Sequence, residues 1–132
     1  MTNKGIHILL DFSKQKNIQT IFKEIEENSI FSKNLIEYMI YTCKNNGITV
    51  LGHQLEVFDG SKSPHGFASV ILLDESHLSA HCYSSEGMLA VDIFTCGSQE
   101  RGIIIADLIK KYILENSFYS LQNEIKHLRF IN

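Results

Sequence analysis

The stretch Ile71–Gly97, ILLDESHLSAHCYSSEGMLAVDIFTCG, decides the fold because apolar and polar residues alternate in it at the period of a β-strand. Leu78–Tyr83 and Leu89–Phe94 show this alternation, so each predicts a strand. Ser84–Gly87 lies between them and has the composition of a loop. The stretch therefore predicts a strand, a loop and a returning strand at the centre of the fold.

The segments on either side of this stretch supply the other elements. Four of them predict strands: Gly5–Phe12, Ile48–Phe58 with a possible bulge at Gly52, Phe67–Leu73, and a tail from Phe118 to Ile131 that forms a strand or a hairpin. Helical spacing predicts a long helix over Asn17–Lys44, interrupted near Asn28-Ser29 and ended by Asn45-Asn46-Gly47. A second helix follows Gly97, with Ser98 as its N-cap.

This order of elements predicts an α+β fold. We expect a two-layer α/β sandwich, in which two principal helices cover one face of a mainly antiparallel sheet. The 132 residues contain no internal repeat and no low-complexity linker, and 44% of them are hydrophobic while 20% are charged. Such a chain forms a single globular domain over residues 1–132.

Composition also narrows the partners and the compartment. The net charge of −3, without a stripe rich in lysine and arginine, excludes nucleic acid and favours small molecules or other subunits. No segment reaches the length of a membrane span, so we expect no membrane partner. Three cysteines that lack CxxC spacing favour a reducing compartment, and the cytoplasm is the expected location.

Residues that could do chemistry gather on one face of the strand over 78–83. Alternation places His77, Ser79 and His81 together on a polar face. A shared metal ion is not expected, because four residues of a strand span about 13 Å. A serine-hydrolase elbow, GxSxG, is absent around Ser76. Cys96 could be a nucleophile, a proton donor or a buried apolar residue, and composition favours the last of these.

Two motifs at a fixed distance carry a family resemblance. Glu75-Ser76-His77-Leu78-Ser79-x-His81, followed by Ala90-Val91-Asp92-Ile93-Phe94-Thr95-Cys96-Gly97, resembles the core signature of the prokaryotic S-adenosylmethionine decarboxylases. Gly5-x-His7 with Asp11 resembles the N-terminal strand of that family, and Pro64-x-Gly66 resembles the turn before its serine-bearing strand. The resemblance covers Gly5 to Gly97 and extends weakly into the last helix.

The resemblance implies a pyruvoyl-dependent enzyme that processes itself. Ser76 would attack the carbonyl of Glu75 and cut the chain into a β chain, 1–75, and an α chain, 76–132, that begins with a pyruvoyl group derived from Ser76. The substrate amine would form a Schiff base with that group before carbon dioxide leaves. His81 matches the processing base and Cys96 the proton donor. A homodimer with sites near its interface, serving polyamine and spermidine biosynthesis, is also implied.

The match weakens where the substrate is expected to bind. The candidate substrate contacts are Tyr83, Leu78, Ser85, Glu86 and Ser69. The family has a glutamate for the ribose hydroxyls where this chain has Ser85, with Glu86 one position later, and it has a hydroxyl residue where this chain has Ala68. Two alternatives therefore stay open: a pyruvoyl-dependent decarboxylase of ornithine or arginine, and an uncleaved regulatory or binding paralogue.

Overall fold

A computed structural model describes residues 5–16 and 21–130 of the chain. Its elements follow in the order β1 (Gly5–Ser13), α1 (Ile21–Asn45), β2 (Val50–Phe58), β3 (Gly66–Leu73), β4 (His77–Tyr83), a short 3-10 helix (Ser84–Glu86), β5 (Met88–Cys96), α2 (Gln99–Asn116) and β6 (Ser120–Arg129). The strands form one sheet of order β2-β3-β4-β5-β1-β6, in which all neighbours are antiparallel. The predicted α+β sandwich is confirmed.

Both helices lie on the same face of the sheet. Helix α1 packs on β2 and β3, and α2 packs on β1 and β5. Every second residue of the central strands is buried beneath the helices: Ile6, Ile8, Leu10, Phe12, Phe67, Ile71, Leu73, Leu78, Ala80, Cys82, Leu89, Val91 and Ile93. The residues between them lie on the opposite face, which no described helix covers and which we call the open face.

The long helix differs from its prediction in one respect. Helix α1 runs without interruption through Asn28-Ser29, so the predicted break is wrong. Asn28 is only 4% exposed, and its side-chain amide donates to the Ser84 hydroxyl at 2.8 Å. A tertiary hydrogen bond therefore uses the polar group that had indicated a break. The predicted start of this helix, at Asn17, lies outside the described residues.

The remaining local predictions agree with the structure. The register of β2 against β3 shifts between Val50 and Gly52, which is the expected bulge. Gly47 ends α1 with a φ of 76°, and Ser98 caps α2 by accepting from the amide of Arg101 at 3.4 Å. The tail forms the single strand β6 and not a hairpin. Neither described helix has the length and apolarity needed to cross a membrane.

Candidate active site

The Glu75–Ser76 bond lies in the tight turn that joins β3 to β4. The amide of Leu73 donates to the carbonyl of Ser76 at 2.9 Å and closes the turn. The amide of Asp74 donates to the carbonyl of Thr49 at 3.2 Å, which ties the turn to the start of β2. Glu75 is exposed and Ser76 is half-buried. The bond that the sequence predicts to be cleaved is thus held in a fixed turn at the surface.

Cys96 lies directly at this bond. It is the last residue of β5, whose Phe94 pairs with His77 at the start of β4, so the end of β5 reaches the turn. The Cys96 thiol donates to the carbonyl oxygen of Glu75 at 3.1 Å. Gly97 then turns the chain with a φ of 83° into α2. The structure thus brings three of the predicted catalytic residues, Glu75, Ser76 and Cys96, to one place.

Two histidines and a phenylalanine adjoin the turn on the open face. The ring centroids of His7 and His77 are 6.4 Å apart, and each ring lies within 6 Å of Phe94, at 5.9 Å and 5.6 Å. His7 Nε2 is 3.7 Å from an oxygen of Asp92, and it is a buried nitrogen without a hydrogen-bond partner among the described residues. Sequence reasoning did not assign His7 or Phe94 a site role, although Gly5-x-His7 was the signal available.

His81 lies at the other end of the open face. It follows Ser76 by five residues along an extended strand, which separates the two by about 16 Å. Its backbone neighbours across the sheet are Ala68 on β3 and Ala90 on β5, and its ring stacks on Tyr83 with centroids 6.5 Å apart. Within one chain, therefore, the structure does not bring His81 to Ser76.

Two of the predicted substrate contacts have side chains on the helix face. Leu78 is fully buried in the core. Ser69 is 5% exposed, and its hydroxyl donates to the carbonyl of Ala80 at 3.5 Å. Alternation along a strand is the physical reason: Ala68 shares the open face with His81, and the next residue points the other way. The side chains of Leu78 and Ser69 thus point toward the helices, and their contact with substrate stays a prediction.

The loop after β4 has a structural part and an exposed part. Ser84 is buried; its hydroxyl accepts from Asn28 and donates to the carbonyl of His65 at 2.9 Å, which anchors the loop. Tyr83 is exposed and Ser85 is half-buried. Glu86 is exposed and pairs with Lys16 at 3.4 Å. Of the predicted contacts in this region, Tyr83 has its aromatic surface available on the open face.

Two hollows lie at the sheet, one beside His81 and one beside Tyr83. The first, of about 220 Å³, is lined by Gln54, Glu56, Ala68, Ser69, Val70 and His81. The second, of about 340 Å³, is lined by Asp11, Phe12, Ser13, Tyr83, Met88, Leu89, Ala90 and Gln122. A third hollow, of about 290 Å³, opens on the helix side beside Phe31 and Tyr112, away from these residues. Each of the two hollows at the sheet could admit a small molecule, the first beside His81 and the second beside Tyr83.

The other two cysteines are unsuited to proton transfer. Burial raises the pKa of the Cys43 thiol to about 11. Burial also raises the pKa of Cys82, whose sulfur lies 3.2 Å from the hydroxyl of Tyr119 inside the core. Among the described residues, no group of three or more His, Cys, Asp or Glu side chains could hold a metal ion. Cys96 is therefore the thiol of this chain that is positioned for chemistry.

Comparisons with known proteins identify the family to which the sequence is similar. The family model described as S-adenosylmethionine decarboxylase matches residues 16–122. A protein named S-adenosylmethionine decarboxylase proenzyme from Symbiobacterium thermophilum is 38% identical over 106 residues, covering 80% of this chain and 70% of that protein. One of the same name from Persephonella marina is 30% identical over 114 residues, covering 83% of this chain and 72% of that protein.

A solved structure supports the fold. The crystal structure of the adenosylmethionine decarboxylase from Aquifex aeolicus has a TM-score of 0.61 to this chain at 22% identity, and the match covers 98% of this chain and 91% of that one. At this identity the likeness concerns the fold alone. Together with the sequence matches over most of the chain, it leads to one conclusion: the chain belongs to the S-adenosylmethionine decarboxylase family.

Proposed function

We propose that this protein is a proenzyme that cuts itself between Glu75 and Ser76 and then decarboxylates S-adenosylmethionine. The observation that carries the proposal is the 3.1 Å hydrogen bond from the Cys96 thiol to the carbonyl oxygen of Glu75. It places a proton donor on the carbonyl that Ser76 must attack. Membership of a decarboxylase family whose relatives are named proenzymes supports the same conclusion.

Self-cleavage follows from the chemistry of these residues. The Ser76 hydroxyl attacks the Glu75 carbonyl carbon; its proton passes to the amide nitrogen as the C–N bond breaks and an ester forms. A base then removes the α-proton of Ser76, and the bond between Cβ and Oγ breaks, which releases 1–75 with a carboxylate end. Water replaces the nitrogen left on residue 76, and ammonia departs. A hydrogen bond to the carbonyl oxygen stabilises the negative charge that develops there in the first step.

The residues around Ser76 fit a pyruvoyl group at that position. The turn is accessible to a small molecule, and the Cys96 thiol is a proton donor on the same side of the turn. A pyruvoyl group supplies an electrophilic carbonyl that accepts the electrons released as the carboxylate leaves. Cys96 then delivers a proton to the substrate carbon, and the packed rings of His7, His77 and Phe94 form a wall that excludes water on the open face.

We further propose a homodimer in which two open faces meet. One end of the face carries Ser76 and Cys96, and the other carries His81, about 16 Å away by strand length. In an isologous dimer, the Ser76 end of one open face lies against the His81 end of the other. His81 of the partner subunit can then serve as the base for Ser76. Large apolar side chains that the face exposes support this: Val70 is 44% exposed and Ile125 is 48% exposed.

The substrate assignment favours S-adenosylmethionine over ornithine or arginine because the relatives carry that name. An uncleaved binding or regulatory paralogue is not favoured either, since the relatives are named proenzymes and the Cys96 thiol contacts the carbonyl of Glu75 beside Ser76. The three cysteines of the chain are free thiols, which fits a cytoplasmic enzyme. We place it in polyamine biosynthesis, where it would supply the aminopropyl donor for spermidine.

Mass measurement and an activity assay test the proposal. Purified protein, incubated and then denatured, should give fragments 1–75 and 76–132, with the second beginning at a pyruvoyl group. Ser76→Ala removes the attacking hydroxyl and should remain a single intact chain. Carbon dioxide release is then compared for S-adenosylmethionine, ornithine and arginine. An uncut wild-type chain after long incubation, or turnover of a simple amino acid alone, would defeat the proposal.

A further inference from the structure

Arg101 lies at the reactive end of the molecule and pairs with no acidic residue in the described part of the chain. Its Nε is buried and has no hydrogen-bond partner among the described residues. The ion pairs of those residues do not include it. Arg129, the other arginine of the chain, lies over the ring of Phe94, 5.0 Å from its centroid. A guanidinium with a buried nitrogen and no acceptor is uncommon, so the site of Arg101 suits an anion.

One terminal nitrogen of the Arg101 guanidinium lies beside the residue that follows Cys96. A Cβ built on Gly97 would lie 3.6 Å from Arg101 Nη2. Adjacent Cα atoms are about 3.8 Å apart, so the segment that carries the Cys96 thiol passes next to the guanidinium. That thiol donates to the carbonyl oxygen of Glu75 at 3.1 Å. Arg101 is thus connected to Glu75 through Gly97 and Cys96.

The other terminal nitrogen lies beside a second segment that holds the same turn. A Cβ built on Gly47, where α1 ends, would lie 4.0 Å from Arg101 Nη1. Two residues later, the carbonyl of Thr49 accepts from the amide of Asp74 at 3.2 Å. The guanidinium therefore lies between the two chain segments that fix residues 74 and 75. The first turn of α2, which contains Arg101, adds the positive end of a helix dipole at the same place.

The proposed self-cleavage would create a new anion at this turn. The carbonyl of Glu75 is neutral in the intact chain and becomes a terminal carboxylate when 1–75 is released. An unpaired carboxylate there would face the carboxylate of Asp74, which accepts from the Glu75 amide at 3.0 Å, and like charges side by side repel. Loss of the bond to Ser76 also frees the new terminus to rotate. A guanidinium binds a carboxylate through two parallel hydrogen bonds and cancels its charge.

We propose that Arg101 binds the carboxylate that self-cleavage creates at Glu75. The pair draws the new charge away from the Cys96 thiol, which is then left to protonate the substrate. It also weakens the repulsion between this carboxylate and the carboxylate of an incoming amino-acid substrate. This inference rests on the proposed cleavage between Glu75 and Ser76.

Thermal unfolding in two backgrounds tests the assignment, because only the cleaved protein contains the new carboxylate. In the cleaved protein, Arg101→Gln should lower the Tm by about 3–10 °C, since a hydrogen-bonded charged pair is lost. In the uncleaved Ser76→Ala chain the same substitution should change the Tm by no more than about 2 °C. Arg101→Lys keeps the charge without the two parallel hydrogen bonds and should recover part of the loss in the cleaved protein. Lys111→Gln, an equal charge change on the exposed side of α2, is the matched control and should have the same small effect in both backgrounds.

The possible failures are distinguishable. Equal losses of Tm in the two backgrounds would show that Arg101 has only a structural role and would overturn the assignment. No loss in the cleaved protein would overturn it as well, and a raised KM for S-adenosylmethionine would then assign Arg101 to the carboxylate of the substrate. A wild-type chain that stays intact would instead defeat the proposed cleavage itself.

Discussion

Replacing Cys96 by alanine should separate the two roles that the geometry gives to its thiol. In the uncleaved chain this thiol makes one hydrogen bond, of 3.1 Å, to the carbonyl oxygen of Glu75. Such a bond is worth about 0.5–1.5 kcal/mol, so its loss should slow self-cleavage by about tenfold at most. Loss of a positioned proton donor costs about 10²–10⁴-fold in turnover. Turnover should therefore fall far more than cleavage.

The assay measures both rates on the same preparation. Intact mass followed over time gives the rate of cleavage, and carbon dioxide release per mole of cleaved protein gives turnover. Cys96→Ser retains a donor and should cleave close to the wild-type rate. Cys43→Ala is the matched control, because it removes a buried thiol from the core and should cost stability without changing turnover per cleaved chain. Equal losses in the two rates of Cys96→Ala, or no loss in either, would refute the proton-donor role.

Two further predictions concern stability. Gly102→Ala should lower the free energy of unfolding, measured by urea denaturation, by about 1–3 kcal/mol. The added Cβ would lie 2.6 Å from Ile6 and still closer to the hydroxyl of Thr95. A variant more stable than the wild type would contradict this prediction and would show that α2 can shift away from β1 and β5. Glu124→Gln should lower the free energy of unfolding by about 0.5–1 kcal/mol near neutral pH. The reason is the ion pair with Lys110, which lies 2.8 Å from the carboxylate and lowers the pKa of Glu124. Because the pKa of Glu124 is lowered in the folded state, its ion pair stabilises the fold above the unfolded pKa, and this stabilisation is lost as pH falls through the folded pKa. The urea midpoints of the wild type and Glu124→Gln should therefore converge in acid. A difference in midpoint that stays constant with pH would contradict this prediction.

The sequence predicts most of the fold because periodicity is visible in it wherever one side of an element is buried. The alternation of Leu78, Ala80 and Cys82 with polar neighbours gives the faces of β4 correctly. The break predicted at Asn28 is wrong because a buried asparagine cannot be told from a helix-ending one without its partner, Ser84, which lies 56 residues away. Long-range hydrogen bonds are thus the part of the fold that local patterns could not supply.

The candidate site was less predictable because residues that match a motif can face opposite ways. Ser69 is a candidate substrate contact and adjoins Ala68, yet a shift of one position on a strand moves a side chain to the other face. The contact between Cys96 and Glu75, in contrast, depends on the register of β5 against β4. The spacing of the two motifs fixes the length of the loop between β4 and β5. Only the pairing of these two strands shows that the Cys96 thiol reaches the carbonyl of Glu75.

The distance between Ser76 and His81 has the most consequence for mechanism. The two residues belong to one short motif, and nearness in sequence suggests nearness in space. The strand arithmetic that excludes a metal ion shared by His77 and His81 also separates Ser76 from His81, by about 16 Å. A base must come within hydrogen-bond reach of the proton it removes. If His81 is that base, one chain does not contain a complete site, and cleavage requires a second open face. A dimer-disrupting charge on this face should then block self-cleavage even though Glu75, Ser76 and Cys96 remain in contact within each chain.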